Sequence, residues 1–299
     1  MSIPFPGELA ALATSFFFAL GPMFFTLAGR ELGSVIVNRL RLLAATFMLL
    51  ALHGVMMGTL LPTGASASNW IWLAASGVVG LVIGDSFLFQ AFVLIGARLT
   101  MLVFGLSPLI ASVLAWVFLG EKLGGLQIAG IAVTLAGVSW VISERQVTNG
   151  GGSLHVKGLL FALGGAFGQA AGLFLARKGL DGELPALSGH LIRLGSATVT
   201  IWIFALLRGS AFATFRALRH RPRGGVYTMS GAVLGPLFGV WLSLIAIRYT
   251  SLGIATTLMA LPPLFLLPID RLVFGHKVRA RAIWGTILAM AGVAMLFLN

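Results

Sequence analysis

No feature of this chain constrains its fold more than its apolar runs, which follow one another to the C-terminus. Each is about 20 residues long, the length that crosses a bilayer as a helix. In hydrocarbon a backbone has no water to bond, so a spanning segment must satisfy its own hydrogen bonds. Apolar stretches and the breaks between them place spans near 8–28, 34–56, 70–95, 97–119, 123–142, 156–176, 187–207, 226–248, 251–273 and 280–298. The chain is 58% hydrophobic and 9% charged, with a mean hydropathy of +1.01. Soluble domains carry roughly a quarter charged residues. The expected fold is therefore an all-α membrane protein with ten transmembrane helices, multi-pass in the cell (inner) membrane. Met1 to Gly7 lacks a basic stretch and leads straight into a full-length span, so no cleavable signal peptide is expected.

The two halves of the chain repeat each other. F-L-G-E-K at 118–122, Gly130 and A-G-V at 136–138 match V-F-G-H-K at 273–277, Gly285 and A-G-V at 291–293. The same offset carries Pro108 to Pro263, and Ser76, Gly80 and Gly84 to Gly231, Gly235 and Gly239. Further upstream, R-L-L-A-A-T at 41–46 matches R-L-G-S-A-T at 193–198, and Gly7, Phe16 and Gly21 match Gly158, Phe167 and Gly172. The polar stretch S-E-R-Q-V-T-N-G-G-G-S-L-H at 143–155 has the composition of a flexible linker. It divides the chain into a first repeat at 1–146, a linker at 147–154 and a second repeat at 155–299. Because each repeat has an odd number of spans, the second must enter the membrane from the opposite side. Two inverted five-helix repeats are the arrangement of many secondary transporters. Small residues four apart, as in Gly164, Gly168 and Gly172, suit close helix packing.

S-P-L-I-A-S-V-L-A-W-V-F-L-G-E-K-L-G-G-L-Q-I-A-G-I-A-V-T-L-A-G-V at 107–138 closely resembles the EamA repeat of the drug/metabolite transporter superfamily. V-N-R-L-R at 37–41 and G-D-S-F-L-F-Q-A at 84–91 resemble segments of other members, and the likeness covers both halves. The resemblance implies a ten-helix bundle around a central cavity, moving small metabolites or amphipathic drugs, often outward. It names no substrate. Where the first half has Glu121 the second has His276, so that acid has no symmetric counterpart.

The net charge of +12 reflects Lys and Arg in loops beside spans, which orient and anchor the chain against anionic lipid rather than nucleic acid. Let X be the side of the N-terminus and Y the other. Loops on Y hold Arg30, Arg98, Arg145, Lys157, the Arg-rich stretch 208–223, Arg271, Lys277, Arg279 and Arg281. Loops on X hold only Lys122, Arg177, Lys178 and Arg248. The charge rule thus favours Y in the cytoplasm and both termini outside. The family resemblance favours both termini inside.

Only 8 residues are acidic, and Asp85 lies inside the apolar run 70–95. At 1.5 Å per residue, Arg41 sits roughly 10–12 Å inside from Y, and Asp85 has risen about 22 Å from X. The two reach similar depth on consecutive spans. An unpaired charge there is expensive, so an Asp85–Arg41 pair is expected, with Asn38 one turn from Arg41. A gating pair, a contact to substrate and proton coupling all suit such an acid. An arginine partner keeps the carboxylate ionised, which weighs against proton carriage. Gln90, about 140° around the helix from Asp85, cannot face the same narrow path.

The repeat carries Arg41 to Arg193 and Asn38 to His190, whereas Asp85 falls on Val240. Arg193 then either snorkels towards the X interface or meets carbonyls, lipid phosphate or an anionic part of the substrate. Phe17, Gln169 and Trp241 supply a mixed apolar and polar lining. Pro108, Pro262 and Pro263 interrupt helix hydrogen bonding and make the fourth and ninth spans hinge candidates.

Enzyme classes fit poorly. Val82 replaces the first Gly of a Gly-x-Gly-Asp protease motif, and Gly105-Leu-Ser-Pro108 is not Gly-x-Ser-Gly. The chain contains no His-Glu-x-x-His and no phosphate-binding loop, and its lack of cysteine removes thiolate chemistry. No cofactor or metal is called for. The expected partners are a small-molecule substrate, the lipid bilayer and a coupling proton, in a monomer or homodimer. The expected function is a secondary active transporter, an exporter of small metabolites or amphipathic drugs by alternating access. A carrier or flippase for a lipid or lipid-linked phosphate on the same fold is the alternative.

Overall fold

A computed structural model describes residues 6–119, 124–149, 153–180, 184–249, 258–275 and 279–297. Glu121 and His276 lie outside them. All regular structure among the described residues is helical. Six helices are long and apolar enough to cross a membrane: Pro6–Leu32, Ser34–Met57, Ala67–Phe104, Gly125–Ile142, His155–Gly179 and Ala186–Leu207. Ser107–Phe118 and Ala280–Met295 are shorter apolar helices.

The first half comprises α1 (Pro6–Leu32), α2 (Ser34–Met57), α3 (Ala67–Gly77), α4 (Asp85–Phe104), α5 (Ser107–Leu119) and α6 (Gly125–Asn149). A π-helical segment, π1 (Val78–Gly84), joins α3 to α4 without a break. The predicted boundary between the third and fourth spans is no loop. It is one residue inside α4, Gly96, whose φ of 77° kinks the chain where a side chain would be strained. The predicted fourth span is itself interrupted at Gly105–Leu106, immediately before α5.

The second half comprises α7 (Ser153–Gly179), α8 (Ala186–Leu207), α9 (Ala211–His220), α10 (Pro222–Ala232), α11 (Val240–Tyr249), α12 (Pro262–Phe274) and α13 (Ala280–Phe297). A second π-helical segment, π2 (Val233–Gly239), occupies the positions that repeat π1. Two expectations need correction. The linker at 143–155 is largely helical, because α6 runs on to Asn149 and α7 begins at Ser153; Glu, Arg and Gln there are good helix formers. The Arg-rich stretch 208–223 contains a helix, α9, with Phe212 and Phe215 exposed between its basic residues.

Matched positions of the two halves meet reciprocally, as a pseudo-two-fold relation requires. Thr46 and Thr198, equivalent in the repeat, share a 2.7 Å hydrogen bond. The one proton left over has a carbonyl of the other half within reach: that of Leu194 lies 3.4 Å from Thr46 Oγ1, and that of its counterpart Leu42 lies 3.1 Å from Thr198 Oγ1. Along α6 and α13, Gly137 abuts Gly285 and Ala289, while Gly292 abuts Gly130 and Thr134. α1 packs on α10, π2 and α11; its repeat partner α7 packs on α3, π1 and α4. The predicted glycine stripes form these seams. Gly84 lies against Gly168 and Gly80 against Gly172, backbone to backbone, so a Cβ on Gly168 or Gly172 would collide with the opposite main chain.

Candidate functional site

Asp85 is the first residue after π1, and its position follows from that segment. A π turn holds five residues' worth of chain between bonded groups and leaves neighbouring carbonyls open to other donors. Asn38 of α2 uses one: its Nδ2 donates to the Leu81 carbonyl at 3.3 Å and to Ser86 Oγ at 3.4 Å. Asn38 Oδ1 accepts from Arg41 Nη2 at 3.2 Å, and the same Nη2 donates to Asp85 Oδ2. The Arg41 guanidinium also lies over the Phe89 ring, 5.2 Å from its centroid. Asp85 and Asn38 are buried, and Arg41 keeps a 12% exposed side chain that faces a cavity. The pair is thus held on four sides, by α2, π1, an amide and an aromatic face.

That cavity is the central one. It measures about 450 Å³ and lies between the halves, with Arg41, Asp85, Gln169 and His190 as its charged and polar wall. Phe18, Phe25, Phe89, Phe92, Met101 and Phe104 make the apolar wall. Both interrupted helices open onto it: Gly105, Ser107 and Pro108 from one half, Ala260, Pro262 and Pro263 from the other. Pro108 is the second residue of α5 and Pro262–Pro263 begin α12, first-turn positions where a missing N–H costs nothing.

A second cavity, about 370 Å³, lies in the groove between α7 and α8, and His190 lines both. Arg193 lines the second. Contrary to the snorkelling expectation, Arg193 is buried, 9% exposed. Gly77 lets the chain pass close to the Arg193 carbonyl, and Arg193 Nη2 lies 3.4 Å from where a Cβ on Gly80 would stand. Gln169 Oε1 lies 3.7 Å from the same point. Arg193 Nε and Nη2 and Gln169 Oε1 are all buried without a hydrogen-bond partner. Asp85 is within electrostatic range of Arg193 but bonds Arg41.

The remaining predicted site residues are placed differently. Phe17 does not line the central cavity; its ring stacks on Phe238 at 5.7 Å, and its neighbour Phe18 faces the cavity instead. Trp241 belongs to α11, with its side chain outside the described structure. Gln90 accepts from Ser34 Oγ at 2.6 Å, away from Asp85.

Sequence reasoning missed three features. Arg98, counted as a loop cation, keeps only an 11% exposed side chain and is ion-paired to Asp270 of α12 at 3.5 Å, linking the two halves. The signal was present, since Asp270 ends an apolar run, but depth along a helix does not say which helices are neighbours. Arg39, two residues from Arg41, is buried and donates to the Ser210 carbonyl, Ser210 Oγ and Thr214 Oγ1 of the α9 region. His53 joins α2 to α8 through Ser188 Oγ at 2.9 Å.

A family model described as the EamA-like transporter family matches residues 5–143 and again 156–298. No match is found among the curated proteins. One solved structure, described only as "Crystal structure of protein", is similar in fold, with a TM-score of 0.55 at 18% identity over 95% of both chains.

Proposed function

Because the chain belongs to the EamA-like transporter family, and so is a membrane transporter of the drug/metabolite superfamily, we propose that it is a secondary transporter working by alternating access about the central cavity. One observation carries the proposal. The 450 Å³ space is walled by both halves, mixes aromatic with ionic side chains, and is flanked by the two helix interruptions at Gly105–Leu106 and Leu261. Five spans per half and an axis in the membrane plane complete this reading, since odd repeats must be inverted. The substrate is a small metabolite or amphipathic drug, and the favoured direction is outward.

In this reading the halves rock about the seams where matched residues meet, and the bending falls at the interruptions just before α5 and α12, whose first turns hold Pro108 and Pro262–Pro263. The Arg98–Asp270 pair bridges the halves towards Y, since Asp270 lies about 10 Å beyond Pro263 along α12. It closes the Y side and must part for the cavity to open there. Asp85 and Arg41 both sit in the first half, so their bond survives the rocking and orients the cavity wall. The groove between α7 and α8 favours a second reading, a carrier of lipid-linked phosphate entering sideways.

Reconstitution into liposomes tests both. Uptake or release of a soluble solute, abolished by Asp85→Asn, supports the first; movement of a lipid phosphate alone would replace it with the second.

A further inference from the structure

The charges around the central cavity do not balance. Arg41 and Arg193 bring two guanidiniums and Asp85 one carboxylate, whose Oδ2 accepts from Arg41 and not from Arg193. The repeat offers Arg193 no acid of its own, since Val240 stands where Asp85 stands in the first half. Arg193 is nonetheless buried, with Nε and Nη2 unpartnered. Burying an ion without partners costs several kcal/mol, so an arrangement like this is stable only if another group completes it. Gln169 Oε1, an unpartnered buried acceptor, lies beside the same Gly80 as Arg193 Nη2. The site thus presents two cationic N–H donors and one acceptor together, next to His190, at the edge of an aromatic cavity.

We propose that Arg193 and Gln169, with His190 beside them, hold the headgroup of the transported molecule: an amphipathic monoanion, with an apolar body and an N–H or O–H beside its carboxylate. A carboxylate takes the two guanidinium donors in parallel, the geometry at which arginine excels. The adjacent N–H or O–H donates to Gln169 Oε1. The apolar body lies against Phe18, Phe89 and Phe92 in the cavity that His190 shares. A cation is disfavoured, since it would have to displace Arg41 from Asp85 and add to an excess of positive charge. A phosphate monoester offers the same anionic chemistry. This assignment rests on the transporter reading for its meaning, but the site can be tested without it.

The test is a melting-temperature titration of the full-length protein in detergent with 3-phenyllactate, 3-phenylpropionate, phenyllactamide, phenethylamine and phenyl phosphate. A molecule that binds only the folded state raises the melting temperature with its occupancy. Phenyllactate should stabilise at millimolar concentration, phenylpropionate should do so less, and the amide and amine should not. Arg193→Gln should weaken phenyllactate at least tenfold. Gln169→Glu sets a carboxylate beside Arg193; it should raise the melting temperature while also weakening the anion at least tenfold, and it keeps the test open if Arg193→Gln does not fold. Stabilisation by phenyl phosphate in place of phenyllactate, lost in the same variants, supports the anion site with phosphate as its headgroup. Equal response to the amine or amide, unchanged affinity in both variants, or no response to any anion overturns the proposal. Flux of the same probes in liposomes separates the two readings. Anion binding through Arg193 without flux keeps the site and removes the transporter; flux of the amine without anion binding does the reverse.

Discussion

Asp85 is bonded by one residue and steadied by several, and that ordering sets what its replacement costs. In Asp85→Asn the Arg41 guanidinium keeps its burial and loses its ionic partner. Breaking a buried pair in this way should destabilise the protein by about 3 kcal/mol. Arg41→Gln should cost a similar amount, and the double variant should cost less than the two together, because neither charge is then left alone. Thermal melts of the three variants check this; additive losses would mean that the pair contributes nothing as a pair. The Asp85–Arg41 bond was legible because depth along two consecutive spans is simple arithmetic. Arg98–Asp270 was not, because it joins α4 to α12, and nothing local in either segment announces the other.

At the scale of elements, the two π segments are the features that position the site, and no residue pattern foretold them. What the chain does show is glycine four residues apart at 80 and 84 and again at 235 and 239. The main chain of α7 presses against the first of these pairs, and the accommodation takes the form of wider turns. Gly168→Ala should therefore be costly, about 2 kcal/mol, since its methyl would meet Gly84 backbone that cannot move without disturbing Asp85. Gly235→Ala should be close to neutral, as a methyl there meets nothing within 4 Å. Melting temperatures decide; an equal gain at both positions would show that helix propensity alone governs these glycines. The division into apolar helices was readable from length and hydropathy. The interruption at Gly105–Leu106 was blurred, because one apolar run continues through it without a polar residue until Ser107.

For the whole molecule, the absence of cysteine opens a direct experiment. Arg98→Cys with Asp270→Cys places the only two thiols on opposite halves, towards Y. A bifunctional methanethiosulfonate joining them should stop transport, and reductant should restore it, while either single variant treated alike keeps working. Unimpaired transport in the linked protein would remove Arg98–Asp270 from any gate. The reciprocal contacts of Thr46 and Thr198 show how alike the halves are in shape. They are not alike in charge: one carries Asp85, the other Val240. Two identical inverted halves would make the inward-facing and outward-facing forms mirror conformations of equal free energy, each populated half the time. A single carboxylate on one side lifts that degeneracy. On the proposed alternating-access reading, the empty carrier is expected to rest lopsided, open more of the time to one face of the membrane, and to begin its cycle from that face.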